Sequence, residues 1–171
     1  MQKVYKVMLL GDIGVGKTSL VRRLVFNCFE HDYKATIGVD VYTHDFTLQT
    51  SGGPVPAREL IWDIDGDFGE SIFKQIYIKG ATAALVIGDC SRKATLASVI
   101  TLAQTFQEEF PGRPVILVAN KIDLVSDDDR SKLVAPLKVL GLPILKTSAK
   151  TGTNVRHSFE SLAGMACERE L

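Results

Sequence analysis

The fold of this chain is decided by the stretch Gly11-Asp12-Ile13-Gly14-Val15-Gly16-Lys17-Thr18. It follows an apolar run at residues 5–10 that predicts a buried strand, and it precedes residues 17–26, whose apolar side chains recur at helical spacing. Glycines let the backbone wrap a polyphosphate and turn its N–H groups inward. The spacing G-x-x-x-x-G-K-[S/T] between a strand and a helix predicts a phosphate loop, with Lys17 at the β- and γ-phosphates and Thr18 on Mg²⁺.

Strands and helices alternate along the rest of the chain, which is typical of an α/β protein. Two strands, 39–48 and 59–64, flank the turn Ser51-Gly52-Gly53-Pro54 and predict an antiparallel hairpin. Further elements are predicted as strands at 83–87, 115–119 and 144–146, and as helices at 68–80, 92–109, 127–140 and 154–168, the last with Asn154 as N-cap. Parallel strands covered by helices on both faces bind ligands at their carboxyl ends. We therefore expect chemistry at the strand-to-loop junctions.

The composition excludes several classes of protein. The 171 residues suit one domain over 1–171, and 20 basic against 20 acidic residues give no excess charge for binding nucleic acid. The cysteines Cys28, Cys90 and Cys167 form no Cys-x-x-Cys pair, so reduced thiols are expected. No apolar run reaches about 18 residues, and neither terminus carries a lipidation motif. We expect a soluble cytoplasmic protein with no membrane anchor in this sequence.

Two further junctions carry residues suited to a nucleotide. Asp63 ends a strand and can hold Mg²⁺ directly or through water, while Gly66 can offer its N–H to a γ-phosphate. Asn120-Lys121-Ile122-Asp123 follows the strand at 115–119. The Asp123 carboxylate can accept from N1–H and the exocyclic amine of guanine, whereas adenine has no donor at that ring nitrogen. The Lys121 stem can cover one face of the base.

The fourth junction is Ser148-Ala149-Lys150, after the strand at 144–146. Small residues there let a backbone N–H approach the base oxygen, and Lys150 can flank the ring. With this junction, the four motifs in their order and spacing resemble a small GTPase of the Ras superfamily over essentially the whole chain. Thr36-Ile37-Gly38-Val39-Asp40 and Tyr77-Ile78-Lys79-Gly80-Ala81 are similar to segments of the Rab subfamily.

The resemblance implies a P-loop G domain: a six-stranded, mostly parallel sheet with one antiparallel edge strand and five helices on both faces. It implies that Thr36 ligates Mg²⁺, that Phe29 packs edge-on against guanine and that Tyr33 closes over the phosphates. Nucleotide contacts are then expected from Asp12, Ile13, Gly14, Val15, Gly16, Lys17, Thr18, Ser19, Phe29, Tyr33, Thr36, Gly66, Asn120, Lys121, Asp123, Ser148, Ala149 and Lys150. The expected catalytic residues are Lys17, Thr36, Gly66 and Asp67, and the expected metal ligands are Thr18, Thr36 and Asp63.

Three residues near the γ-phosphate depart from the family pattern. Asp67 stands where the family has Gln, Asp65 where it has Ala, and Ile13 where it has a small residue. An ionised carboxylate can accept from the attacking water but cannot donate, and it brings negative charge toward the phosphoryl group. We therefore expect slow hydrolysis.

The partner surface departs from the Rab pattern at one position. Val41 replaces an aromatic residue, whereas Trp62 and Tyr77 keep the other two members of the surface triad. The alternative for Trp62 and Tyr77 is plain packing between the sheet and the neighbouring loop.

The leading hypothesis is a monomeric GTP/GDP switch, whose switch segments, residues 29–41 and 63–78, bind effectors and regulators in the GTP state. The alternative is a pseudo-GTPase that binds guanine nucleotide without significant turnover. A P-loop kinase or ATPase is disfavoured because Asn120 and Asp123 would then have no purpose. Rab-like proteins continue into a lipidated tail, so membrane association is expected if such a tail has been removed.

Overall fold

The computed structural model describes residues 1–32, 34–64 and 77–169. The strands are β1 (Lys3–Leu10), β2 (Val39–Thr50), β3 (Gly53–Ile64), β4 (Ala83–Asp89), β5 (Val115–Asn120) and β6 (Ile144–Lys146). The helices are α1 (Lys17–Phe26), α2 (Lys93–Glu109), α3 (Asp127–Val134) and α4 (Val155–Arg169), with 3₁₀ turns at Ile122–Leu124 and Ala135–Leu140. The strands form one sheet in the order β2-β3-β1-β4-β5-β6, in which β2 and β3 are antiparallel and the other pairs are parallel. The predicted α/β sheet with an antiparallel edge strand is confirmed.

Two apolar cores lie on opposite faces of this sheet. Alternate residues of β1 point to opposite faces, so Tyr5 and Leu9 enter one core while Met8 and Leu10 enter the other. The first core includes residues of α1 and α4, and the second includes residues of α2 and the turn at Ala135–Leu140. Both faces of the central strands are therefore covered, which leaves the carboxyl edge of the sheet for the loops that follow the strands.

The hairpin is longer than predicted. Thr50 pairs with Gly53 across a two-residue turn, so β3 begins six residues before the predicted start at residue 59. Pro54 and Pro56 lie inside β3, but pairing with β1 begins only at Ala57. The prolines therefore occupy a stretch with a neighbouring strand on one side, where a missing N–H is tolerated.

One predicted helix is corrected, and the residue before another is placed. The α-helix expected over 127–140 ends at Val134 and continues as a 3₁₀ turn, because Pro136 has no N–H for an α-helical bond. Asn154 directly precedes α4, and its carbonyl accepts from the Ser158 N–H over 3.0 Å, as at an N-cap position, while its side-chain amide donates to the Lys146 carbonyl over 2.8 Å.

The predicted helix at 68–80 lies outside the described residues except for its end. There Gly80 has a φ of +74°, a conformation typical of a helix C-terminus.

Candidate functional site

A cavity of about 310 Å³ lies beside the loops that follow β1, β5 and β6. It also touches the segment between α1 and β2. The predicted residues that line it are Ile13, Gly14, Gly16, Lys17, Thr18, Ser19, Phe29, Thr36, Asn120, Lys121, Asp123, Ala149 and Lys150. Asp12, Val15 and Ser148 belong to the same loops but are not among the lining residues, and Asp63 is wholly buried. Residues more than 100 positions apart in sequence thus meet around one space.

The phosphate loop, residues 11–18, follows β1 and opens α1. Gly16 is the N-cap with a φ of +104°, and since it has no side chain the first N–H groups of α1 are left without a side-chain cap. A Cβ at Gly16 would stand 2.3 Å from Asn120 Nδ2, so glycine is required there on steric grounds as well. Lys17 is a buried residue, and its ammonium donates to the Gly11 and Asp12 carbonyls over 2.8 and 3.1 Å. A helix N-terminus beside a buried cation is a strong anion site.

Two side chains at the carboxyl end of β5 hold the outer side of the phosphate loop. Asn120 Nδ2 donates to the Val15 carbonyl over 3.0 Å, and Lys121 Nζ donates to the Gly14 carbonyl over 2.7 Å. In a trans peptide unit the C=O and the next N–H point in opposite directions. These bonds therefore turn the N–H groups of the following residues away from β5 and stabilise the loop as a concave anion-binding nest.

Three oxygen-bearing side chains meet at the start of α1. Thr18 Oγ1 donates to Asp63 Oδ2 over 2.5 Å and lies 2.7 Å from Thr36 Oγ1. Asp63 Oδ1 is buried and has no hydrogen-bond partner among the described residues. Burial raises the pKa of Asp63, against a hydrogen bond from Thr18 and the charge of Lys17, which lower it. A carboxylate with an unused oxygen and two hydroxyls fit Mg²⁺, which prefers hard oxygen ligands and keeps several waters.

The base loops, residues 120–123 and 148–150, are joined by hydrogen bonds. Asn120 Oδ1 accepts from Thr147 Oγ1 over 2.9 Å and from the Ala149 N–H over 3.3 Å. Ser148 Oγ donates to Asp123 Oδ1 over 2.6 Å, which orients that carboxylate. The exposed Asp123 side chain and the Lys121 stem line the cavity on the side expected for a base.

A family model described as the Ras family matches residues 6–168. The chain belongs to the Ras family.

Ras-related protein RABA2d of Arabidopsis thaliana is 34% identical over 165 residues, which cover 93% of this chain and 73% of that protein. Ras-related protein Rab11C of Lotus japonicus is also 34% identical, with the same coverage of 93% and 73%. Ras-related protein Rab-11A of Dictyostelium discoideum is 33% identical, covering 93% of this chain and 74% of that protein. The resemblance to a Rab-like small GTPase is thereby confirmed, and the comparisons give the pseudo-GTPase alternative no support.

The predicted partner surface of this Rab-like GTPase is partly exposed. Ile37 is 91% exposed and Val41 is 50% exposed. Trp62 is half-buried, with Lys6 Nζ 4.0 Å above its ring and the Tyr77 ring 6.0 Å away. Lys6 Nζ also donates to the Tyr77 carbonyl over 2.5 Å, and partial burial lowers the pKa of this ammonium. Trp62 therefore packs against Lys6 and Tyr77 and is also partly exposed to solvent.

Some predicted residues lie outside the described part of the chain, namely Tyr33, Asp65, Gly66 and Asp67. Within that part, no helix is long and apolar enough to span a bilayer.

Several residues around the site were not predicted from the sequence. Glu30, His31, Asp32, Lys34, Ile64 and Leu124 also line the cavity. Asp89 ends β4 and is buried, and burial raises its pKa, but donors from Lys121, Ser91 and Arg92 outweigh burial and hold the pKa below its ordinary value. The sequence could have indicated Asp89, because it is a polar residue at the carboxyl end of a central strand.

Proposed function

We propose that this protein is a guanine-nucleotide switch that binds GTP and GDP with Mg²⁺ and hydrolyses GTP slowly. The observation that carries the proposal is the meeting of the phosphate loop and both base loops around one cavity, joined by the bonds from Asn120 to Val15 and from Lys121 to Gly14. In this shared cavity, one ligand can place its polyphosphate on the phosphate loop and its base on the two base loops.

Guanine selectivity in this proposal comes from Asp123. Its carboxylate, oriented by Ser148, accepts from the two donors on the edge of guanine, while adenine would leave the acid facing a ring lone pair. The Lys121 and Lys150 stems cover the two faces of the ring, and Phe29, which lines the same cavity, packs against its edge. This arrangement favours GTP over ATP.

Mg²⁺ would be held by Thr18 and Thr36, with Asp63 bound directly or through water. When bound, the ion neutralises charge between the β- and γ-phosphates. The unused Asp63 oxygen and the two converging hydroxyls support this assignment. Lys17 adds a fixed positive charge beside the same phosphates, and its burial strengthens that interaction.

The switch itself would reside in the switch segments, with Thr36 and Gly66 held by the γ-phosphate and released after hydrolysis. Effectors and regulators would then bind, in the GTP state, the face formed around Ile37, Val41, Trp62 and Tyr77. The exposed apolar side chains of Ile37 and Val41, which belong to the first switch segment, support a docking face. By similarity to Rab proteins, we propose that the protein acts in vesicle traffic, in the cytoplasm or on membranes.

Hydrolysis is proposed to be slow because Asp67 accepts from the attacking water without donating toward the phosphoryl group. Two unit charges about 6 Å apart repel by roughly 3 kcal/mol at an effective dielectric of 20. Solvent and Mg²⁺ reduce this, so turnover slowed by about ten- to a hundredfold is expected. Ile13 is 40% exposed at the phosphate loop, in the position that an activating arginine would approach.

Two experiments test the proposal. The purified protein is denatured and the released nucleotide is identified by chromatography, with GDP or GTP expected; release of ATP, or the absence of any guanine nucleotide binding, would refute it. Single-turnover phosphate release then compares the wild type with Asp67→Gln, which should be faster. A wild-type rate at or above the Ras value of about 4 × 10⁻⁴ s⁻¹ would refute slow hydrolysis.

A further inference from the structure

Asp89 is a buried acid beside the phosphate loop that pairs with two partly exposed cations. It is 1% exposed and ends β4, the strand next to β1 in the sheet. Its Oδ1 accepts from the Ser91 N–H over 2.8 Å and from Ser91 Oγ over 2.6 Å. Its Oδ2 accepts from Lys121 Nζ over 2.8 Å and from Arg92 Nε over 3.1 Å. Both carboxylate oxygens are therefore fully used, and two cations are oriented by one buried acid.

Both cations also donate to the phosphate loop. Arg92 Nη2 donates to the Ile13 carbonyl over 2.8 Å, and Lys121 Nζ donates to the Gly14 carbonyl over 2.7 Å. With the bond from Asn120 to Val15, three successive carbonyls of the loop are held by three side chains. Asn120 and Lys121 belong to the base loop at residues 120–123, whereas Arg92 lies in the loop that follows β4.

We propose that Arg92 is a positioning residue that holds the Ile13 carbonyl outward and thereby keeps the Gly14 N–H turned toward the phosphates. The proposal rests on the proposed function, since it concerns the same nucleotide site. In a trans peptide unit the outward C=O and the following N–H are antiparallel. Gly14 has a φ of +72°, which glycine adopts without strain and which lies outside regular helix or strand, so no ladder of backbone hydrogen bonds fixes this part of the loop.

The guanidinium suits this role because it bonds in two directions at once. Its Nε bonds to Asp89 while Nη2 bonds to Ile13, so the loop is tied to the end of β4 through one rigid planar group. A lysine at this position keeps the charge but cannot reproduce the two fixed directions. The neighbouring Lys93 side chain makes no hydrogen bond or ion pair within the described residues, so Lys93→Ala removes a nearby charge without touching the loop.

The test measures the release of a fluorescent GDP from nucleotide-loaded wild type, Arg92→Ala, Arg92→Lys and Lys93→Ala, all with Mg²⁺. We expect Arg92→Ala to release GDP about tenfold faster, which corresponds to about 1.4 kcal/mol, near the lower limit for a hydrogen bond to a charged group, since Arg92 is partly exposed. On a logarithmic scale, the release rate of Arg92→Lys should lie closer to that of Arg92→Ala than to that of the wild type. The release rate of Lys93→Ala should stay within about twofold of the wild type.

Phosphorus NMR of bound GDP supplies a readout that a merely structural role would not move. The β-phosphate resonance should shift in Arg92→Ala and stay in place in Lys93→Ala. The proposal would be overturned if Arg92→Ala had the same release rate and the same β-phosphate resonance as Lys93→Ala. It would also be overturned if Arg92→Lys released GDP at the wild-type rate, because the positive charge alone would then suffice. A wild type that binds no guanine nucleotide would instead refute the proposed function.

Discussion

Replacement of Gly16 by alanine should break the connection between the phosphate loop and the base loops. The added Cβ would stand 2.3 Å from Asn120 Nδ2, far inside van der Waals contact, so Asn120 must move. The Asn120 side chain makes three hydrogen bonds, to the Val15 carbonyl, Thr147 Oγ1 and the Ala149 N–H. A single methyl group therefore acts on both halves of the cavity.

The matched control for this change is Gly53→Ala. Gly53 has a φ of +105°, against +104° for Gly16, and a Cβ there would meet nothing within 4 Å. The positive φ costs alanine roughly 1–2 kcal/mol at either position. The bonds of Asn120 contribute about 0.5–1.5 kcal/mol each. We therefore expect Gly16→Ala to lower the free energy of unfolding by roughly 3–6 kcal/mol and Gly53→Ala by roughly 1–2 kcal/mol.

Urea unfolding followed by the fluorescence of the one tryptophan, Trp62, measures these free energies. GDP release should be at least about tenfold faster in Gly16→Ala and unchanged in Gly53→Ala. Equal losses of stability in the two variants, together with equal release rates, would refute the argument that Gly16 is required by its contact with Asn120.

Asp123→Asn places a donor against the guanine N1–H, so competition binding should show loss of GTP and gain of xanthosine triphosphate; a variant that still prefers GTP would contradict the base assignment. Trp62→Ala should abolish binding of a GTP-state partner and leave nucleotide affinity within a few-fold, whereas loss of the folded circular-dichroism spectrum would assign Trp62 to packing. Glu59 is buried with its Oε2 3.0 Å from His44 Nδ1, and burial raises its pKa above 4.5 despite that contact. The neutral Glu59 carboxyl makes its full contribution to stability below about pH 4.5, and this contribution is lost as the pH rises through the raised pKa. Because glutamine does not titrate, the free energy of unfolding of Glu59→Gln should increase relative to that of the wild type by up to about 1.4 kcal/mol per pH unit over this range. A difference that stays constant across this range would contradict the burial argument.

Local patterns in the sequence were enough to predict most of the fold. The strand, the glycine-rich turn and the helix around Lys17 follow from neighbours in the chain, and so does the hairpin around Gly52. Element ends were less predictable, because they depend on tertiary partners. Pro54 and Pro56 look like strand breakers in sequence, yet they lie in β3 where β1 does not pair. The roles of Asp65, Gly66 and Asp67 remain predictions, since these residues lie outside the described part of the chain.

The sequence by itself determined the chemistry of each loop, because a motif such as residues 11–18 carries its donors and its turn within eight positions. Only the tertiary structure decided which groups hold those loops in place. Arg92 reaches the Ile13 carbonyl across 79 positions, and Asn120 reaches the Val15 carbonyl across 105. Such contacts arise because parallel strands bring their carboxyl ends to one edge of the sheet. Which ends become neighbours depends on the strand order, and the spacing of residues within a motif does not determine that order.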